Sequence, residues 1–424
     1  MRYNQVNNRN KEQAAMNPVY KLYCRSYQRI LKCAMHFISI PMPETGNSIS
    51  HVADMIHKNH LIHPLIVSGP HVSKSESVRT FLDELEKSGI VFSLFSKISK
   101  DPNFSDIDSL YDFYNENTCD SLIAIGGGSV IDATKALGCK IVQPKKAYSK
   151  LRGLLKVKKD LPFFIAIPTT AGTGSEATVA SVITNETNGD KFAINDPHLV
   201  PKIAVLDPSL LKSLPKKMIA ESGMDAFCHA LEAYIGNSNS KLTKKYAMDA
   251  ILLIHDNLFS FYNDSNNEKI RENMLKASYY AGISFTRAYV GYVHALAHAV
   301  GGMYHLPHGY CIAVLLPYVL KHYKSSIFKS LAQINDQLKL SHPQAIEEEK
   351  SIVVIQWIED LRNRLGIPAD FGGIIKEEDF SKLAKHASKE ANPLYPVPRI
   401  LSARQLEEIL REANIGIKPN HETA

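Results

Sequence analysis

The stretch SLIAIGGGSVIDATKALG, Ser121 to Gly138, decides the fold. Ser121 to Ile125 form a short apolar run, Gly126, Gly127 and Gly128 follow without interruption, and helical spacing then resumes. This is the pattern of a buried strand, a tight turn and a helix. Glycine lets a backbone approach an anion closely because no Cβ intervenes. The free N–H groups at a helix start favour negative charge. Gly127, Gly128 and Ser129 are therefore the expected phosphate cradle, since a bare strand-to-helix turn needs fewer glycines than this.

The same alternation extends to either side. PLIVSG (Pro64–Gly69) reads as a buried strand and ESVRTFLDELEKSG (Glu76–Gly89) as a helix stopped by glycine. IVFSLFS (Ile90–Ser96) predicts a strand, and SDIDSLYDFYNEN (Ser105–Asn117) a helix with Ser105 as N-cap. FFIAIP (Phe163–Pro168) runs into TTAGTGSEATVASVIT, and KIAVLDP (Lys202–Pro208) closes the series. Strands and helices at this spacing predict a parallel sheet covered on both faces. PTTAGTGSEAT repeats the arrangement of strand, glycine turn and helix after the next strand. Its Gly172–Ala177 segment fits a G-x-G-x-x-A pattern, but it lies far into the domain, where the usual dinucleotide fingerprint does not. The hydroxyls of Thr169, Thr170, Thr173 and Ser175 still suit phosphates and an amide; their plainer use is turn formation and capping.

From about Lys216 the remaining segments read as helices, from IAESGMDAFCHALEAYIG to SIVVIQWIEDLRNRLG. The expected organisation is a helical arm over 1–40, an α/β dinucleotide-binding domain over 41–215, and an all-α domain over 216–424. The chain has 424 residues, 45% of them hydrophobic, and a net charge of +6, which is modest for that length. No concentrated basic face argues for nucleic acid; the basic stretch Pro144–Asp160 reads as solvated surface. The six cysteines are irregularly spaced without a C-x-x-C pair, which suits a reducing cytoplasm. No apolar run reaches the roughly 18–20 residues of a membrane span, and the polar start does not read as a signal peptide.

VHALAHAVGGMYHLPHG, Val293 to Gly309, holds His294, His298, His305 and His308. His294 and His308 would stand roughly 21 Å apart along one straight helix, too far to share a metal. Gly301-Gly302 and Pro307 are expected to break the helix and let the chain fold back. Asp225 and His229, at i and i+4, lie on one helical face. Asp225, His229, His294 and His308 together would make an N/O ligand set without thiolate. Such a set suits Fe(II), Zn(II), Ni(II) or Mn(II) and leaves room for a substrate oxygen. His298 reads equally as a proton relay or as a structural histidine beside the ligands. His305 reads as a bystander and Cys228 as a packed helix residue. Phe285, Tyr289 and Tyr292 suggest a partly aromatic substrate cavity.

GGGSVIDATKA, PTTAGTGSEAT, SGMDAFCHALEAY and GYVHALAHAVGGMYHLPHG, in this order and at these spacings, resemble the successive motifs of the iron-containing alcohol dehydrogenase family. The resemblance covers most of the chain from about Pro41. It implies the dehydroquinate synthase-like architecture: an N-terminal dinucleotide-binding α/β domain, a C-terminal helical domain, and an active site in the cleft between. It also implies NAD- or NADP-linked interconversion of a small alcohol and an aldehyde or ketone at Fe(II), with Zn, Ni or Mn as alternatives. The implied metal ligands are Asp225, His229, His294 and His308. The implied cofactor positions are Gly127, Gly128, Ser129, Thr169, Thr170, Thr173 and Lys191. His298 falls near the substrate and Phe285 at the pocket wall.

One position departs from the family pattern. Many members end the first strand with an aspartate that binds the adenosine ribose and repels a 2′-phosphate. Here Ser68 and Gly69 stand there, so the expectation leans slightly to NADP, with Ser68, His71 or Lys74 near the extra phosphate. The expected assembly is a cytoplasmic homodimer without nucleic-acid or membrane partners. The alternatives are a lyase or cyclase of the dehydroquinate synthase type and a non-catalytic relative that kept the fold.

Overall fold

A computed structural model describes residues 17–35, 38–187 and 189–414. The parts of the expected N-terminal arm over 1–16 and 36–37, and residues 415–424 of the expected helical domain, lie outside the described residues. The chain forms two compact units. Of the described residues, one unit comprises 38–227 and Asp249–Thr286, the other 17–35, Cys228–Met248 and 287–414.

The first unit is built on a six-stranded sheet. Its strands are β1 (Glu44–Gly46), β2 (Pro64–Ser68), β3 (Ser93–Phe95), β4 (Ser121–Gly126), β6 (Phe163–Pro168) and β9 (Ile203–Val205). They lie in the order β3-β2-β4-β6-β9-β1, and every neighbouring pair is parallel. The inner strands are the continuous apolar runs of the sequence. Every residue of β2 and β4 is buried, as expected of strands covered on both faces. β4 and β6 are neighbours with Gly126 opposite Pro168, so both glycine-rich loops leave the same carboxyl edge side by side.

Helices cover this sheet: α1 (Pro18–Met35) belongs to the other unit, but α2 (Val52–Lys58), α3 (Glu76–Lys87), α4 (Phe104–Glu116) and α5 (Gly128–Val142) belong here. α4 begins two residues earlier than an N-cap at Ser105 would start it. Its N-cap is Asn103, whose side chain accepts from the Asp106 N–H while Asp106 accepts from the Asn103 N–H. Ser105 is instead inside the first turn, bonded to Glu186. α5 is buried along most of its length, from Val130 to Cys139, and lies in the core with Leu65, Val67, Leu122 and Phe164.

A second sheet joins β5 (Gly153–Leu154), which precedes β6, to β7 (Ala180–Asn185) and β8 (Asp190–Asn195), which follow it, in the order β5-β8-β7. The second glycine loop thus leads not to a helix but to a single 3-10 turn, Ser175–Ala177, and an antiparallel hairpin. Val179, Val182, Ile183 and Thr184 are β-branched, which favours the pleated state over the helix here.

The remaining helices are α6 (Tyr148–Leu151), α7 (Lys216–Ile235), α8 (Lys241–Asn263), α9 (Glu268–Ala288), α10 (Tyr292–Tyr304), α11 (His308–Tyr323), α12 (Phe328–Leu338), α13 (Glu347–Arg364), α14 (Phe380–Ala391) and α15 (Ala403–Glu412). In the second unit α10 packs on α11 and α14, and α12 on α13. The arm helix α1 is tied into this unit: Arg25 donates to the carbonyls of Val397 (2.7 Å) and Pro398 (2.8 Å), and Gln28 to that of Tyr395 (2.7 Å).

Candidate active site

The expected phosphate cradle is assembled from two loops in contact. Gly127 is the N-cap of α5 and the helix starts at Gly128, so backbone N–H groups point out of the helix end. A Cβ on Gly128 would stand 2.7 Å from Thr173 Cγ2, and one on Gly127 would stand 3.4 Å from Thr170 Oγ1. Glycine at 128 is thus what allows the second loop to lie against the first. Thr169 is buried and donates its N–H to the Gly126 carbonyl at 3.0 Å. Thr170 and Thr173 are half-buried. Ser129 donates its hydroxyl to the Lys100 carbonyl. Lys191 is exposed and paired with Asp101 at 2.7 Å. Ser68 is fully buried, and its hydroxyl is committed to the Ile125 carbonyl at 2.9 Å.

The loop that carries the threonines is pinned from beneath. Lys135 on α5 is wholly buried. Its ammonium donates to the carbonyls of Ser175 (2.7 Å), Thr178 (2.8 Å) and Ala180 (2.8 Å), and to Thr178 Oγ1 (2.9 Å). Asp132, one turn earlier, accepts from Ser175 Oγ at 2.5 Å and from the Val182 N–H at 3.0 Å. Burial pushes the Lys135 ammonium down to about 8 against the pull of Asp132 and Glu176, and pushes the Asp132 and Glu176 carboxyls up. Gly174 takes a left-handed conformation (φ +59), and a Cβ there would stand 2.6 Å from the Ser278 carbonyl oxygen.

The proposed metal ligands come together on buried helices. Asp225 and His229 stand one turn apart on α7, and His294 is on α10. Asp225, His229 and His294 are all buried, and their candidate ligand atoms all lie within 4.8 Å of one another. The His229 and His294 rings stack at 4.3 Å. His308 is the first residue of α11, with its ring 5.6 Å from that of His294. The donor set is one carboxylate and imidazoles, without thiolate, and it fits a first-row divalent metal.

The fold-back that brings His308 to His294 has a different cause from the expected one. α10 runs straight through Gly301 and Gly302 to Tyr304. The break falls at His305, which is left-handed (φ +54), and at Pro307, the N-cap of α11. A glycine pair costs a helix only about 1 kcal/mol per residue, which packing overrides. The missing N–H of proline forces the new start. Gly301 serves the turn differently: a Cβ there would press on the Leu306 carbonyl at 3.2 Å. His305 itself is exposed, and its backbone makes the turn.

His298, one turn after His294, is half-buried and stacks on His308 at 5.1 Å. Its Nδ1 is 2.7 Å from Glu390 Oε1, which also accepts from the Tyr395 hydroxyl at 2.8 Å. Burial raises the Glu390 carboxyl, but the His298 charge and these hydrogen bonds outweigh it and hold it below its ordinary value. Phe285 is half-buried. Tyr292 does not line a cavity: it is fully buried, with its hydroxyl donating to Asn392 Oδ1 at 2.9 Å. Cys228 is buried, 4.0 Å from His294 Nδ1 through its sulfur.

Four charged residues around these sites went unread in the sequence. Asp132 and Lys135 are charges three apart within the mostly apolar first three turns of α5, which was a legible sign of a buried pair. Glu232 lies three residues after His229, on the turn that follows the proposed ligand pair. Glu390 carried no local signal, because it meets His298 from a distant helix.

Comparison with known proteins gives two adjacent matches. Residues 45–208 match the iron-containing alcohol dehydrogenase model, and 219–414 match the C-terminal model of the Fe-containing alcohol dehydrogenase family. Alcohol dehydrogenase 4 of Saccharomyces cerevisiae is 34% identical over 348 residues, covering 81% of this chain and 89% of that protein. The NADPH-dependent butanol dehydrogenase of Clostridium saccharobutylicum is 32% identical over 332 residues, covering 77% of this chain and 84% of its own. A crystal structure of 1,3-propanediol oxidoreductase superposes with a TM-score of 0.84 at 31% identity, over 88% of this chain and 99% of that one.

Proposed function

The chain belongs to the iron-containing alcohol dehydrogenase family, and on that premise we propose that it is a metal-dependent, NAD(P)-linked dehydrogenase interconverting a small alcohol and its carbonyl product. The observation that carries the reading is the buried cluster of Asp225, His229 and His294 with the His308 ring beside it. When bound, the metal would act as a Lewis acid on the alcohol oxygen and the nicotinamide would accept the hydride. Asp225, His229, His294 and His308 would hold the metal. Gly127, Gly128 and Ser129 would hold phosphate at the start of α5, with Thr169, Thr170, Thr173 and Lys191 around the rest of the nucleotide.

His298 would hold the proton at Nε2, the nitrogen opposite its bond to Glu390, and pass it toward solvent. We favour NADP over NAD. No carboxylate ends β2, the Ser68 hydroxyl is committed elsewhere, and His71 and Lys74 stand exposed in the turn that follows. In functional terms the chain would divide into an arm over 1–40, a nucleotide-binding part over 41–215 and a metal-binding part over 216–424. A cytoplasmic homodimer completes the proposal. All six cysteines are free thiols, and among the described residues no helix is long and apolar enough to cross a membrane.

The test is an anaerobic assay of the Fe(II)-loaded protein with small alcohols and aldehydes against NAD and NADP. Asp225→Ala and His308→Ala are expected to lose both bound metal and turnover. Full metal content and full rate in both variants would overturn the ligand assignment. Turnover that survives metal removal would overturn the reaction class.

A further inference from the structure

Two backbone N–H donors and one imidazole nitrogen converge on one buried carboxylate. Glu232 is on α7, one turn beyond His229, and is buried. Its Oε2 accepts from the Gly291 backbone N–H at 2.7 Å and lies 2.6 Å from His294 Nδ1. Its Oε1 accepts from the Val293 N–H at 2.9 Å. Gly291 is the N-cap of α10, so the carboxylate also meets the positive end of that helix. Only glycine permits this approach, because a Cβ on residue 291 would stand 2.6 Å from Glu232 Oε1.

Each oxygen already accepts a backbone N–H, so the carboxylate meets the imidazole as an acceptor and the proton on His294 belongs at Nδ1. Nε2 then carries the lone pair. We infer that Glu232 is a positioning residue for the metal centre, fixing the Nδ1–H tautomer and the ring plane of His294 so that Nε2 is its ligand atom. This rests on the proposal that His294 is a ligand. The competing use of the same atoms is a site made by Cys228, Glu232 and His294, whose candidate ligand atoms also lie within 4.8 Å of one another. That site would take His294 through Nδ1, with Glu232 as a ligand. The two readings differ in which nitrogen of one ring faces the metal.

Glutamine at 232 separates charge from shape. If its amide oxygen replaces Oε2, its NH2 faces the Val293 N–H and one helix bond is lost. If the oxygen replaces Oε1, its NH2 faces Gly291 N–H and His294 Nδ1. That placement forces the proton onto Nε2. Neither orientation satisfies all three donors.

The experiment measures Co(II) affinity of the full chain by competition with a chelating dye, together with the Co(II) absorption spectrum. Glu232→Gln is expected to weaken Co(II) binding about 10- to 100-fold, the usual effect of losing the partner of a metal-binding histidine. Glu232→Asp, which keeps the charge, should recover part of that loss. Affinity within twofold of wild type in Glu232→Gln, with His294→Ala strongly weakened, would overturn the inference and leave Glu232 a helix cap. A thiolate-to-cobalt charge-transfer band that Cys228→Ala abolishes would overturn it in favour of the Cys228 site. Equal affinity in wild type and His294→Ala would overturn the ligand assignment, and the inference with it. The wild-type Zn(II) form gives a test that needs no variant. NMR of the 15N-histidine-labelled protein should show a slowly exchanging Nδ1–H on a metal-bound imidazole. Finding Nε2–H on every metal-bound imidazole would overturn the inference.

Discussion

Replacing Glu176 by glutamine should stabilise the protein, and only at neutral and alkaline pH. Glu176 lies in the loop between Thr173 and β7, with 1% of its surface exposed. Its Oε1 has no hydrogen-bond partner among the described residues. Burial pushes its carboxyl up from 4.5 to about 7, although a backbone hydrogen bond and the Lys135 ammonium pull the other way. Between those two values the folded protein binds more protons than the unfolded chain, so stability falls as the pH rises through that window. Above pH 7 the ionised carboxylate costs about 3 kcal/mol; below pH 4.5 it costs nothing, because it is protonated in both states. Glutamine has nearly the same shape and does not ionise. Glu176→Gln should therefore gain about 3 kcal/mol over the wild type at pH 8 and under about 1 kcal/mol at pH 5. Urea unfolding followed by far-ultraviolet circular dichroism at several values between pH 5 and 8 measures this directly. An advantage of the same size at both ends of the range would show that ionisation is not its source. No advantage at pH 8 would show that the Lys135 ammonium and local hydrogen bonds already offset the burial.

Other substitutions test the loops and the histidines. Gly128→Ala would drive a methyl group into the branched side chain of Thr173. In steady-state assays it should raise the KM for NAD(P) at least about tenfold while leaving kcat within a few-fold, as expected for lost binding common to ground and transition states. Gly174→Ala meets backbone at Ser278 and Gly282 and requires a left-handed alanine, so it should lower stability by about 2–4 kcal/mol in urea unfolding. Lys135→Met leaves two buried carbonyls and one partly buried one without their donor, and two buried carboxyls without a cation. A loss of about 3–5 kcal/mol is expected, with the nucleotide KM raised in the surviving folded protein. His298→Ala should keep full metal content and lower kcat about 100-fold or more, with a changed pH profile; an unchanged profile would remove the relay role.

Most of the sheet was legible because it is written in short-range order. Apolar runs of five or six residues, each ended by glycine or proline, mark β2, β4 and β6 directly. The pairs Asp225/His229 and His294/His298 share a face of one helix each, a consequence of helical pitch alone. Where local order was ambiguous, the reading went astray. A glycine loop followed by β-branched residues can open a helix or a hairpin, and packing of β7 against α5 and β8 decided for the hairpin.

By itself the sequence determined a parallel α/β layer, an all-helical continuation and the residue types from which a metal site can be made, since periodicity and composition act within a few residues. Only the tertiary structure decided which of those residues meet. His308 comes within reach of His294 through a left-handed residue at 305 and a proline at 307, not through the glycine pair. Glu232 and Glu390 reach His294 and His298 because separate helices bury one face together. Such approaches are set by how side chains fill a shared core, and no spacing along the chain encodes them.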